Sequence, residues 1–189
     1  KILARPRLIN QIKNAIPPGH LAHLACFNVT EHERKLSTVL ELPVYGCDPG
    51  LLFWGTKSGS REIFKACGID TPAGYENRQH ETDIIKALAD LNTNNQGIKK
   101  AVIKMNDGFS GEGNAVFSFK NIIAGEDVEA QVRQQLPLQI KIVANDLIYE
   151  QFIKKFTGMG GIVEAFIDGQ QKATPSVQCR INPLGKIDI

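Results

Sequence analysis

The four cysteines of this sequence form no CxxC pair, its only tryptophan is Trp54, and no unbroken apolar stretch is long enough to cross a bilayer. The first absence removes the usual zinc and dithiol motifs and reads Cys26, Cys47, Cys67 and Cys179 as reduced, buried thiols, which places the chain in a reducing compartment, the cytoplasm. The last removes a helical membrane span. An excess of one charge is missing too: 22 Lys and Arg against 20 Asp and Glu leave +2, mixed along the chain, so no basic stripe awaits a nucleic-acid backbone. His20, His23, His32 and His80 have neither a Glu-bearing helix between them nor cysteines beside them, and no metal ligand is assigned. The opening KILARPRLINQIKN lacks an apolar core of signal-peptide length and begins with Lys, which reads as an internal cut.

At 189 residues the chain can bury a core and form one large domain or two small ones. Leu8, Ile9, Ile12 and Ile16 recur at helical spacing from Pro6 to Ile16, and Pro17-Pro18-Gly19 stops that helix. Leu21 to Val29 reads as a buried strand. Thr30 with Glu33 is a capping box opening a helix that Pro43 breaks, and Val44-Tyr45 is a short strand. This alternation is that of an α/β layer. A helix from Thr56 to Cys67 is expected to bury Ile63, Phe64 and Cys67 on one face, with Thr56 or Ser58 as cap; another runs from about Thr82 to Leu91. Further on come a helix near Glu126 to Gln135 ending before Pro137, a helix from Asn145 onward, the strand Ile162 to Ile167, and the strand ATPSVQCRI with Pro175 at an edge or bulge. Pro183-Leu184-Gly185 is a turn, after which Ile187-Asp188-Ile189 begins a strand and stops.

The most informative stretch is AVIKMNDGFSGEGNAVFSF, Ala101 to Phe119. Two alternating segments flank a loop from Asn106 to Asn114 that is longer than the roughly two to five residues of ordinary hairpins. Gly108, Gly111 and Gly113 leave backbone N–H groups unshielded, as a phosphate requires, and Lys104 supplies a mobile charge to the same anion. Ala101, Ile103 and Met105 point one way and Val102 and Lys104 the other. The pattern is neither GxxxxGK[ST] nor GxGxxG, and it leads into a strand rather than a helix, so the loop is a flap between strands. Lys57 stands in the first turn of its helix, where unpaired N–H groups favour an anion. Glu164 lies among apolar neighbours, so it must face a cleft or meet a donor.

Four segments in this order resemble the ATP-grasp superfamily: GTKSGSREIFKACGIDTPAG (55 to 74), the lysine strand and flap, GGIVEAFIDG (160 to 169) and TPSVQCRINPLGKIDI. The likeness is greatest to the peptide-ligase and carboxylate–amine-ligase branch that carries a preceding α/β "pre-ATP-grasp" domain, and it extends to related regions of eukaryotic IQ-motif ciliary proteins. It implies an α/β plus α+β fold, with a partial pre-ATP-grasp domain over 1–55 and an ATP-grasp nucleotide-binding region over 56–189 that is incomplete at its C-terminus.

The resemblance implies that Lys57 and Lys104 meet the α and β phosphates of ATP, and that Ser110, Gly111, Glu112 and Gly113 close over the β and γ phosphates. Glu164 and the backbone of Ala165, Phe166 and Ile167 would meet the adenine edge. A ribose-binding Glu is replaced by the sequence Gly169-Gln170-Gln171, which leaves Gln171 in that role. The chemistry implied is ADP-forming ligation, in which a carboxylate attacks the γ phosphate and an amine captures the acylphosphate. Mg2+ is needed, with ligands on strands beyond Ile189, so catalytic residues are not assigned. Two readings stay open: a ligase-type ATP-binding module with carboxylate and amine substrates, and a non-catalytic structural or interaction protein in a large assembly such as a ciliary or flagellar axoneme. Neither brings nucleic acid or membrane as a partner.

Overall fold

A computed structural model describes residues 1–108, 111–123, 125–144, 146–169, 171, 173, 175–181 and 186–189. The N-terminal quarter pairs two short parallel strands, β1 (Leu24–Ala25) and β2 (Val44–Tyr45), beside helices α1 (Pro6–Asn14) and α2 (Glu31–Leu40). The Thr30 and Glu33 capping box opens α2 as expected. The expected buried strand over Leu21 to Val29 shrinks to two residues. Pro43 and Gly46 bound its partner among the described residues, β2, and Leu21 and Phe27 are left 104% and 92% exposed.

Pro49–Gly55 forms a 3-10 turn that feeds α3 (Lys57–Ala66), with Thr56 as the N-cap accepting from Gly59 N–H at 3.1 Å. The remaining elements are β3 (Gly74–Arg78), α4 (Glu81–Asn94), β4 (Lys100–Met105), β5 (Asn114–Ser118), α5 (Val128–Gln139), β6 (Ile140–Ile142), α6 (Tyr149–Met159) and β7 (Gly161–Ala165). They build an antiparallel five-stranded sheet ordered β3-β7-β4-β5-β6. β8 (Arg180–Ile181) pairs antiparallel with β9 (Ile187–Asp188). This is a mixed α+β architecture. No helix among the described residues is long and apolar enough to cross a membrane.

Alternation divides the sheet into two unlike faces. Ala101, Ile103 and Met105 of β4, Ala115 and Phe117 of β5 and Val163 of β7 are buried against Ile84, Leu88 and Leu91 of α4, Val132 and Leu136 of α5, and Phe152 and Phe156 of α6. Burying a side chain of this size contributes about 1.5–3 kcal/mol, so this face carries the stability of the domain. The opposite face holds Lys104, Glu164 and Glu76, with α3 laid against β3 and β7.

Four further expectations are corrected. The face of α3 buried on the sheet carries Ser58 and Arg61, with Gly59 packed on the backbone of the preceding turn, whereas Ile63 and Phe64 are 37% and 42% exposed, because the surface beneath α3 is charged. Pro137 lies inside α5 rather than beyond it: it forfeits one late N–H bond, while Leu136 is fully buried. Within ATPSVQCRI only Arg180 and Ile181 are in a strand, and Pro175 precedes it. The cysteines are free but Cys47, Cys67 and Cys179 are exposed rather than buried. The expected turn Pro183-Leu184-Gly185 and the helix start at Asn145 lie outside the described residues, and α6 begins at Tyr149.

Candidate functional site

β4 and α3 bring the two expected lysines to one place. Lys104 extends from the polar face of β4, and Lys57 opens α3 with its Nζ donating to the carbonyls of Asn106 (3.4 Å) and Gly108 (3.3 Å) at the root of the flap. Burial holds the Lys57 ammonium below the usual lysine range, and the charge of Lys104 lowers it further against a smaller opposing pull from Asp107. The two ammonium groups repel each other, a repulsion that a bound anion would relieve.

The flap is shaped by contact between its own ends. Met105 N–H bonds to Gly113 O at 2.9 Å, closing the loop, and a Cβ on either Gly108 or Gly113 would stand 2.8 Å from the other's Cα. Gly111 has φ +85°, a conformation that side chains disfavour. The glycines are thus required by the path of the backbone. Glu112 is exposed, Gly113 is buried, and Ser110 lies outside the described residues. Asn114, paired with Lys104 across the strands, keeps a buried Oδ1 that has no hydrogen-bond partner among the described residues.

The first turn of α3 does not offer its amides freely, contrary to the sequence expectation. Ser58 N–H donates to Asn106 Oδ1 at 3.0 Å and Gly59 N–H to Thr56 Oγ1, so side chains already occupy these two donors. Asn106 also donates from Nδ2 to Met159 O at 3.2 Å and from its backbone to Gly160 O, which ties the flap root to α3 and to the entry of β7. Positive charge at the site therefore resides mainly in the lysine side chains.

Glu164 meets its donors, as its burial requires. Its Oε1 accepts from Lys104 Nζ at 2.6 Å and its Oε2 from Arg61 Nη1 at 2.5 Å, with Glu164 itself 6% exposed. Arg61, 5% exposed, is fully engaged: Nε donates to Glu76 Oε1 at 2.6 Å and Nη2 to Pro72 O at 2.8 Å. Lys65 adds a second cation to Glu76 at 2.7 Å. Burial raises the Glu76 pKa, but the bonds from Lys65 and Arg61 outweigh it and leave the carboxyl below its usual range. Sequence reasoning assigned no role to Arg61, Glu76 or Asn106. The only local signal for Arg61 is its place four residues after Lys57 on the same helix.

The rest of the expected adenine edge follows Glu164. Ala165 N–H is donated to Ala73 O at 2.7 Å and Phe166 N–H to Lys100 O at 3.1 Å, and Ile167 is 69% exposed. Lys100 Nζ stands 5.6 Å from the centre of the Phe166 ring and 3.7 Å from Asp168. Gln171 is exposed. This segment is at the opposite end of β4 from the flap, four residues or about 13 Å from Lys104.

The described residues do not compose a Mg2+ site. Glu76 and Glu164 are neutralised by cations, and among the described residues no group of three His, Cys, Asp or Glu side chains could hold a metal. Lys57 also borders a cleft of about 1310 Å³, lined by Phe27, Thr30, Leu52 and Trp54 together with Asn106 and Gly108 of the flap root.

The ATP-grasp family model for IQCH-like proteins matches residues 51–146, which spans α3, the lysine strand, the flap and α5. The chain belongs to the IQCH-like ATP-grasp family. This ATP-grasp chain is also 24% identical over 210 aligned residues to the IQ motif-containing protein H of Danio rerio, an alignment covering 96% of the chain and 20% of that protein. It thus spans about a fifth of that relative.

Proposed function

We propose that this ATP-grasp chain binds ATP along the polar face of its sheet, with the phosphates between Lys57, Lys104 and the flap. The observation that supports this most directly is the convergence of two ammonium groups, one of them with a lowered pKa, at the mouth of a glycine-hinged loop. On this reading Gly111, Glu112 and Gly113, with Ser110, cover the β and γ phosphates. Adenine lies toward Ala165, Phe166 and Ile167, where Ile167 and the Phe166 ring remain as contacts once the two N–H groups have gone to the sheet. Gln171 takes the ribose. Glu164 acts through Lys104 rather than on the base. The span of about 13 Å along β4 is one a nucleoside triphosphate can bridge.

On the catalytic form of this reading, a carboxylate attacks the γ phosphate and releases ADP, and an amine then attacks the acylphosphate and releases phosphate; Mg2+ would be held by residues other than those of this site. The cleft beside Phe27 and Trp54 is the place for the second substrate, and the domain boundary near residue 55 separates that wall from the nucleotide region. The experiment is a thermal melt of the folded chain with and without MgATP. Wild type is expected to melt several degrees higher with nucleotide and Lys104→Ala to show no shift. An unchanged wild-type melt at millimolar MgATP contradicts the reading.

The second reading, a non-catalytic ATP-grasp scaffold within a cytoplasmic or axonemal assembly, is favoured by one observation: the family's matched relative is named for IQ motifs and extends far beyond this region. It keeps nucleotide binding and drops turnover. Hydrolysis or ligation by the full-length protein separates the two.

A further inference from the structure

The Lys104–Glu164 contact poses a problem for any anion site built on Lys104. A buried carboxylate 2.6 Å from an ammonium cancels much of the charge that an incoming phosphate needs. The same carboxylate is shared. Its second oxygen is held at 2.5 Å by Arg61, whose own side chain is anchored to Glu76 and to the Pro72 carbonyl and is almost wholly buried. Arg61 lies four residues after Lys57 on α3, on the same side of the helix, so one guanidinium fixes both the carboxylate behind Lys104 and the helix that presents Lys57.

We propose that Arg61 is a positioning residue of the anion site: by taking half of Glu164 it leaves Lys104 aimed but not neutralised, and by bonding to Glu76 and Pro72 it holds Lys57 over the flap. The inference rests on the reading of Lys57 and Lys104 as phosphate ligands. A planar guanidinium suits the task because it makes three bonds in fixed directions to two carboxylates and a carbonyl. Counting the side chains linked here, Arg61, Lys65 and Lys104 balance Glu76 and Glu164 with one positive charge over; the row ends in a lysine on each side, and it is the charge of Arg61 that keeps Glu164 from cancelling Lys104 entirely. Without Arg61 the row becomes neutral, and Glu164 is free to bind Lys104 with both oxygens.

The test is a calorimetric titration of the full chain with linear inorganic triphosphate at fixed ionic strength, alongside circular dichroism of each variant. Arg61→Gln is expected to weaken binding about tenfold, equivalent to about 1.4 kcal/mol, at unchanged secondary structure. The double variant Arg61→Gln/Glu164→Gln is expected to recover affinity to within about threefold of wild type, because the neutral amide no longer quenches Lys104. A residue that merely braces the fold gives the opposite result, a double variant at least as weak as Arg61→Gln, and that overturns the proposal. Should Arg61→Gln fail to fold, Glu164→Gln alone decides. Affinity equal to or tighter than wild type supports the proposal, and a tenfold loss overturns it. Wild type that binds no triphosphate overturns the nucleotide reading and this inference together, whereas wild-type binding indifferent to Arg61→Gln overturns this inference alone.

Discussion

Gly108 and Gly113 meet backbone to backbone at the neck of the flap, so that a Cβ added to either stands 2.8 Å from the Cα of the other. The nearest atoms are main chain and cannot swing aside. Gly113→Ala is therefore expected to destabilise the protein by about 1–3 kcal/mol, the usual cost of forcing atoms into a filled space. Urea denaturation measures it, and triphosphate affinity should fall with it because the neck sets where Lys57 finds its two carbonyls.

Lys57 gives a prediction in pH. Its folded value lies below the ordinary 10.5, chiefly through burial and then through Lys104. The sign follows from linkage: a base whose pKa is depressed by folding weakens the fold wherever it is charged in both states, and the penalty fades as pH rises from the folded value toward 10.5. Lys57→Met is thus expected to stabilise the free protein at neutral pH while weakening triphosphate binding. The Lys57 side-chain titration, followed by NMR, should move upward when triphosphate is added. No movement would detach Lys57 from the anion site.

Tyr149 fastens α6 to α4 by donating to Glu81 Oε1 at 2.6 Å. Burial raises its phenol well above the ordinary 10.0, and the hydrogen bond and charge of Glu81 add to the effect. A raised acid pKa supplies stability that is whole below pH 10 and is lost as pH climbs toward the folded value, since only the unfolded chain ionises there. Tyr149→Phe should cost about 1 kcal/mol at neutral pH and flatten the alkaline fall in stability, both read from melting curves against pH.

On α3 the apolar residues lie outside. Ile63→Ser and Phe64→Ser should each cost about 1 kcal/mol or less, against about 3–5 kcal/mol for Phe156→Ala in the core. Comparable losses at Ile63 and Phe156 would show that α3 faces the other way.

That reversal shows where the sequence could be read and where it could not. β4 was legible because alternation is a property of the strand itself: Ala101, Ile103 and Met105 fall on the core face whatever lies beyond them, and Lys104 is left for the other face. The Thr30 and Glu33 cap was legible for the same reason, all its partners lying within one turn. The orientation of α3 was not, because the three apolar residues suggested a buried stripe while the sheet beneath offers Glu76 and Glu164, which take Arg61 instead. β3 passed unread: Gly74, Glu76, Asn77 and Arg78 are poor strand formers, and the strand exists by pairing with β7. Glu164 could be recognised as needing a donor, but its donors come from positions 61 and 104, a pairing that only the fold brings about.

The most direct measurement is the affinity of the folded chain for ATP, by calorimetry, beside the Lys57→Met/Lys104→Met double variant. Saturable binding is expected of wild type and none of the double variant at equal secondary structure. A folded wild type that takes up no ATP, or a double variant that binds as tightly as wild type, contradicts ATP binding at Lys57 and Lys104.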